Sequence, residues 1–190
     1  MIALLLNFLT GVGLSAAAGL NAFLPMLVVG LMGYMGWADL AAPFDLLSHP
    51  IALIVVGVLA ILDFVGDKVP AVDSFLHTAG MVVAPIAGAI LFVASTGLGE
   101  IPPLVAAIAG LIVAWGTHAA RSAVRPVVTA ATAGTGNPIV SLIEDVIAVI
   151  LTVLALLLPV AALGFAILVA VIIYRFFRGR LKVWQQSKLN

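Results

Sequence analysis

The chain contains no cysteine, so disulfides and thiolate metal sites are excluded. Charge is nearly as scarce, with eight Lys and Arg and eight Asp and Glu among 190 residues. With 64% of residues hydrophobic and a mean hydropathy of +1.32, too little polar surface exists to cover a water-soluble globule. Missing motifs exclude more. There is no Ser/His/Asp order, no HExxH pair and no dinucleotide fingerprint, so no catalytic centre and no cofactor are expected and the chain reads as a non-enzyme. A formal net charge of zero argues against a nucleic-acid partner.

What is present is a series of long apolar runs, each near the ~20 residues an α-helix needs to cross ~30 Å of hydrocarbon. Pro, Gly and charge divide them into about six spans: Ile2 to Met35, His49 to Asp67, Thr78 to Gly97, Pro102 to Arg121, Pro138 to Pro159 and Val160 to Tyr174. The first exceeds a single crossing and is interrupted by Gly11, Gly13, Ser15, Gly19, Asn21 and Pro25, which predicts a break or tilt. Every Lys and Arg (Lys68, Arg121, Arg125, Arg175, Arg178, Arg180, Lys182, Lys188) falls in or beside alternate gaps, the positive-inside pattern of a multi-span membrane protein. Six crossings place both termini on one side, and the basic tail makes that side cytoplasmic. The expected architecture is an all-α polytopic bundle. It comprises one transmembrane domain, residues 1–176, and a basic cytoplasmic tail, 177–190, that meets anionic headgroups or simply stops transfer.

A weak internal repeat aligns AGLNAFLP (Ala18 to Pro25) with AARSAVRP (Ala119 to Pro126), and Pro50 to Pro70 with Pro138 to Pro159. Halves of about 1–97 and 102–176 would then form a 3+3 inverted repeat with broken or re-entrant segments, an arrangement common in secondary transporters. Chance similarity of Ala-rich strings is the competing explanation.

Acids inside apolar runs are the candidate site. Asp63 lies about one turn from the cytoplasmic end of its span, and Ser141, Glu144 and Asp145 lie ~5 to 10 Å inside from the same surface. His118, Arg121 and Arg125 follow at i, i+3 and i+7, on one helical face. An unpaired charge at a helix centre costs roughly 2.5 to 3.5 kcal/mol, so these groups are expected to meet. Asp63, Asp67, Asp73, Glu144 and Asp145 outnumber Lys68, Arg121 and Arg125 by two, a charge that would hold a cation or protons. Either the acids bind cargo, or they pair with Arg only to fix helix packing. Asn21 and Asn137 are further candidate ligands: Asn21 stands in the broken first span, and Asn137 is the expected N-cap ahead of Pro138. His77 and His118 lack metal-ligand spacing, so a metal is neither implied nor excluded. The run Ala133, Gly134, Thr135, Gly136, Asn137 would be either a flexible loop or an anion cradle beside two Arg.

The strings GLNAFLP (Gly19 to Pro25), DKVPAVDS (Asp67 to Ser74), the His118 to Arg125 stretch and NPIVSLIED (Asn137 to Asp145) together resemble a bacterial integral-membrane family, the domain of unknown function numbered 4126. The resemblance covers approximately residues 11 to 165 and implies a multi-pass protein of the bacterial inner membrane. In two places this chain departs from the family pattern: Asp63 stands where Glu is expected, and a Lys expected soon after His118 is absent. The family supplies no activity.

The expected function is a small transporter or channel, acting as a homodimer in the lipid bilayer, for a small cation or proton-coupled solute. Asp63, Glu144, Asp145, Asn21, Asn137 and Ser141 would bind it, and Asp67, Lys68, Asp73, His118, Arg121 and Arg125 would form the surrounding charge network. An anion or lipid-phosphate translocase and a non-transport scaffold are the alternatives.

Overall fold

Proline opens most of the helices. It is tolerated in the first turn, where its missing N–H would lack an intrahelical partner. The computed structural model describes residues 1–40, 42–66, 70–96 and 101–187; the side chains of 70, 71, 73, 74 and 176–187 lie outside that description. Among the described residues seven α-helices run α1 Ile2–Leu20, α2 Phe23–Tyr34, α3 Pro50–Gly66, α4 Pro70–Thr96, α5 Pro103–Thr132, α6 Asn137–Leu157 and α7 Pro159–Ser187, with a short 3-10 turn at Phe44–Ser48 and no strand. Four of these helices are long and apolar enough to cross a membrane: α1, the Phe75–Thr96 part of α4, α5 and α6. Three apolar helices are shorter, Phe23–Tyr34, Pro50–Gly66 and Pro159–Arg175.

The centre of the bundle is α1, which packs against α4, α5, α6 and α7. Its buried face is almost entirely small: Gly11, Gly13, Ser15, Ala16, Ala17, Ala18 and Gly19. Small residues let helix backbones approach closely, the packing mode that works where lipid removes the hydrophobic drive between helices. A Cβ on Gly19 would stand 2.5 Å from the Ala114 carbonyl oxygen of α5. The glycines of α1 therefore serve packing, and the expected break falls at Asn21, between α1 and α2. Leu14, Val29, Leu91, Leu151 and Ala155 complete the core, and large apolar side chains such as Ile51, Ile54, Val58 and Ile61 of α3 are exposed. That outward apolar surface suits lipid.

The first apolar run forms two helices, α1 and α2. It folds back at Asn21, so that Thr10 of α1 and Met32 of α2 line one cavity, and Met1 lies beside Ile101 and Pro102 at the end of the bundle far from Asn21. Two other expected boundaries move. Helix α4 begins at Pro70, ahead of Thr78, and α5 continues eleven residues past Arg121 to Thr132. Pro126 removes only one ladder hydrogen bond, and the hydroxyls of Ser122 and Thr129 bond the His118 and Arg125 carbonyls on either side of it. What ends α5 is Ala133 in the left-handed region, φ 51, followed by Gly134, φ 86.

Candidate functional site

The break between α1 and α2 is built by one side chain. Asn21 has extended backbone, φ −146, and its Oδ1 accepts from the Phe23 and Leu24 N–H groups, both at 3.0 Å, so it caps α2 while ending α1. The last carbonyls of α1 are left without helical donors. That of Leu20 accepts from Arg121 Nη1 at 2.6 Å.

The amide end of Asn21 then joins two helices. Its Nδ2 donates to Asp63 Oδ2 of α3 and to Asp145 Oδ1 of α6, each at 2.9 Å. The two carboxylate oxygens thus lie no farther apart than twice that distance. On the preceding residue of α6, Glu144 Oε2 accepts from Arg121 Nε at 2.8 Å and from Arg125 Nη2 at 2.9 Å. Asn21, Arg125, Glu144, Asp145 and Ser141 are all buried, and Asp63 is half-buried. Helix periodicity explains the convergence: Ser141, Glu144, Asp145, Ala148 and Thr152 form the inward stripe of α6, and His118 and Arg125 belong to that of α5. Beside the cluster a cavity of about 70 Å³ is lined by Asp63, His118, Arg121 and the Ala18 to Leu20 backbone region, room for a few waters.

A family described as Domain of unknown function (DUF4126) matches residues 8–179. The chain belongs to this family. No curated protein and no solved structure matches it.

In this DUF4126 protein the predicted residues divide. Asn21, Asp63, Arg121, Arg125, Glu144 and Asp145 meet in one connected cluster. His118 lies against it, stacked on His77 with ring centroids 5.2 Å apart, and Ser141 shares the α6 face. Asn137 does not join them. It stands eight residues before Asp145, about 12 Å along the axis, and exchanges hydrogen bonds with the exposed Thr129. Gly136, not Asn137, is the N-cap of α6, because the turn is already closed by backbone bonds. The side chains of Asp67, Lys68 and Asp73 lie outside the described residues. The Gly-rich run is no anion cradle: its N–H groups at Gly134, Thr135, Gly136 and Asn137 are taken by Thr129, Thr132, the Thr132 hydroxyl and Gly134. The Leu20 carbonyl and His77 were not legible as part of the site. The apolar run around Leu20 gave only Asn21 as a signal, and His77 had no spacing relation to His118.

Chemically, the described cluster brings three carboxylates, Asp63, Glu144 and Asp145, together with two guanidinium groups. At ~5 Å and an effective dielectric of ~20, two carboxylates repel by about 3 kcal/mol.

Proposed function

We propose that this protein is a small membrane transporter or channel that moves a cation, or a solute coupled to protons, through the Asn21 site. The observation that carries the reading is the single amide of Asn21 bridging carboxylates from α3 and α6 at the point where the first apolar run turns back. Discontinuous helices with polar groups at the break are how many transporters hold ions within the bilayer. Asp63 and Asp145 bind the cargo, Glu144 is held between Arg121 and Arg125, and those two Arg offset most of the acid charge. Engagement of both guanidinium groups by Glu144, with the closed Gly-rich turn, favours a cation over an anionic lipid headgroup as cargo.

By the positive-inside rule the Arg121 and Arg125 end faces the cytoplasm of a bacterial inner membrane. The fold-back at Asn21 supports an odd number of passes, with Met1 on the exterior side and α7 returning inward. The exposed apolar stripe of α3 suits lipid, and would serve equally as a contact in a homodimer.

Reconstitution into liposomes with dyes for protons, Na⁺ and K⁺ tests the reading. Flux of at least one of these is expected in the native protein and its loss in Asp63→Asn and Asp145→Asn. Flux unchanged in both variants refutes it, and no flux in the stable native protein favours a scaffold whose ionic cluster only fixes packing.

A further inference from the structure

A second polar cavity lies at the opposite end of the bundle. Its volume is about 200 Å³, and it is walled by Asn7 and Thr10 of α1, Met32 of α2, Ser95 of α4 and the loop segment Trp37 to Leu40. Among the described residues Asp39 is the one charged group on its lining. Its floor is Leu14 and Val29, which are 1% and 0% exposed and belong to the apolar core. One turn farther along α1, Ala18 lines the small cavity that holds Asp63, His118 and Arg121. Four residues of helix separate the two, about 6 Å. On α2 the separation is from Val29 to Phe23, about 9 Å. Between Leu14 and Ala18 the buried residues of α1 are Ser15, Ala16 and Ala17, so only a thin layer of small side chains and the two core residues parts the cavities on this helix.

We infer that the outer cavity is the exterior mouth of one route for a small hydrated cation, closed in this conformation by the Leu14 and Val29 layer above the Asn21 site. This rests on the transport reading above. Asn7, Thr10 and Ser95 offer oxygens that replace part of a cation's water, and Asp39 raises its local concentration. A layer of two apolar side chains bars an ion because it provides no oxygen to replace hydration.

Because the native chain contains no cysteine, single cysteines report access directly. In vesicles of known orientation, a membrane-impermeant thiosulfonate should label Ser95→Cys from the Met1 face only and Ala79→Cys, on the inner cavity, from the opposite face only. Adding Leu14→Ser to Ser95→Cys should raise leak of protons, Na⁺ or K⁺ several-fold, and a bulky thiosulfonate on the introduced thiol should suppress that leak. Val29→Thr, nearly isosteric, is the second variant should Leu14→Ser fail to fold. The inference is overturned by a Ser95→Cys that stays unlabelled from the Met1 face, by a leak indifferent to modification of that thiol, or by no leak in folded Leu14→Ser and Val29→Thr. A blockable leak that persists in Asp145→Asn would sink the cargo site proposed above and leave this route standing. Native flux abolished in Asp145→Asn, with Ser95→Cys unlabelled, would do the reverse.

Discussion

Arg121 ties a helix end to an ion pair: its Nη1 donates to the Leu20 carbonyl at 2.6 Å while its Nε holds Glu144 at 2.8 Å. One planar guanidinium thereby satisfies a carbonyl exposed by the fold-back and an acid on α6 together. The fold-back and the charge cluster are thereby joined through one side chain.

Replacing this side chain separates geometry from charge. Arg121→Lys keeps the charge but not the fork that reaches two acceptors in different directions, and should lower the unfolding temperature in detergent. Arg121→Ala should cost more, about 3 to 5 kcal/mol, because it leaves buried Glu144 with one guanidinium fewer. Thermal unfolding of the two variants checks the order. Equal effects of Lys and Ala would mean that the fork contributes nothing.

The convergence of Asp63, Arg121, Arg125, Glu144 and Asp145 was legible in the sequence because apolar surroundings leave a charge little choice but another charge at equal depth. Helical spacing fixed the faces, and the site residues on α5 and α6 follow it. The fold-back was not legible. Between Ile2 and Met35 there is no charged residue to mark a side of the membrane, so a break at Asn21 and a reversal at Asn21 look alike. The end of α5 was misplaced because the charge at Arg121 was read as the end of the span, whereas Ala133 is the residue that leaves the helix. Asn137 looked like a cap from its place before Pro138, yet the turn residue Gly136 precedes it and Thr129 takes its side chain.

Gly19 packs directly against the backbone of α5. Gly19→Ala places a methyl group 2.5 Å from the Ala114 oxygen and against Thr117, and backbone cannot yield as a flexible side chain would. A loss of about 1 to 3 kcal/mol is expected from overpacking, whereas Gly116→Ala, with open space around it, should be neutral or slightly stabilising. Comparing the two by thermal unfolding distinguishes helix contact from helix propensity.

Asn137 and Thr129 hold the α5–α6 turn from outside the cluster. Asn137→Ala should cost no more than about 1 kcal/mol, the worth of an ordinary hydrogen bond, and should leave cation flux at the native level. A flux loss matching that of Asp145→Asn would return Asn137 to the cargo site.

The fold-back also sets the sidedness of the N-terminus. Because α1 runs from the Ile101 and Pro102 end down to Asn21, residues near Met1 and residues of the α5–α6 turn occupy opposite ends of the bundle. On the proposed placement of the Arg-bearing end in the cytoplasm, Ala3→Cys should react with an impermeant maleimide in intact cells and Ala133→Cys only after the membrane is opened. A first run that crossed once without reversing would put Met1 with Ala133, and both cysteines would then be protected in intact cells. The two outcomes differ in a single labelling lane, and the second would remove the Asn21 hairpin on which the bridging of Asp63 and Asp145 depends.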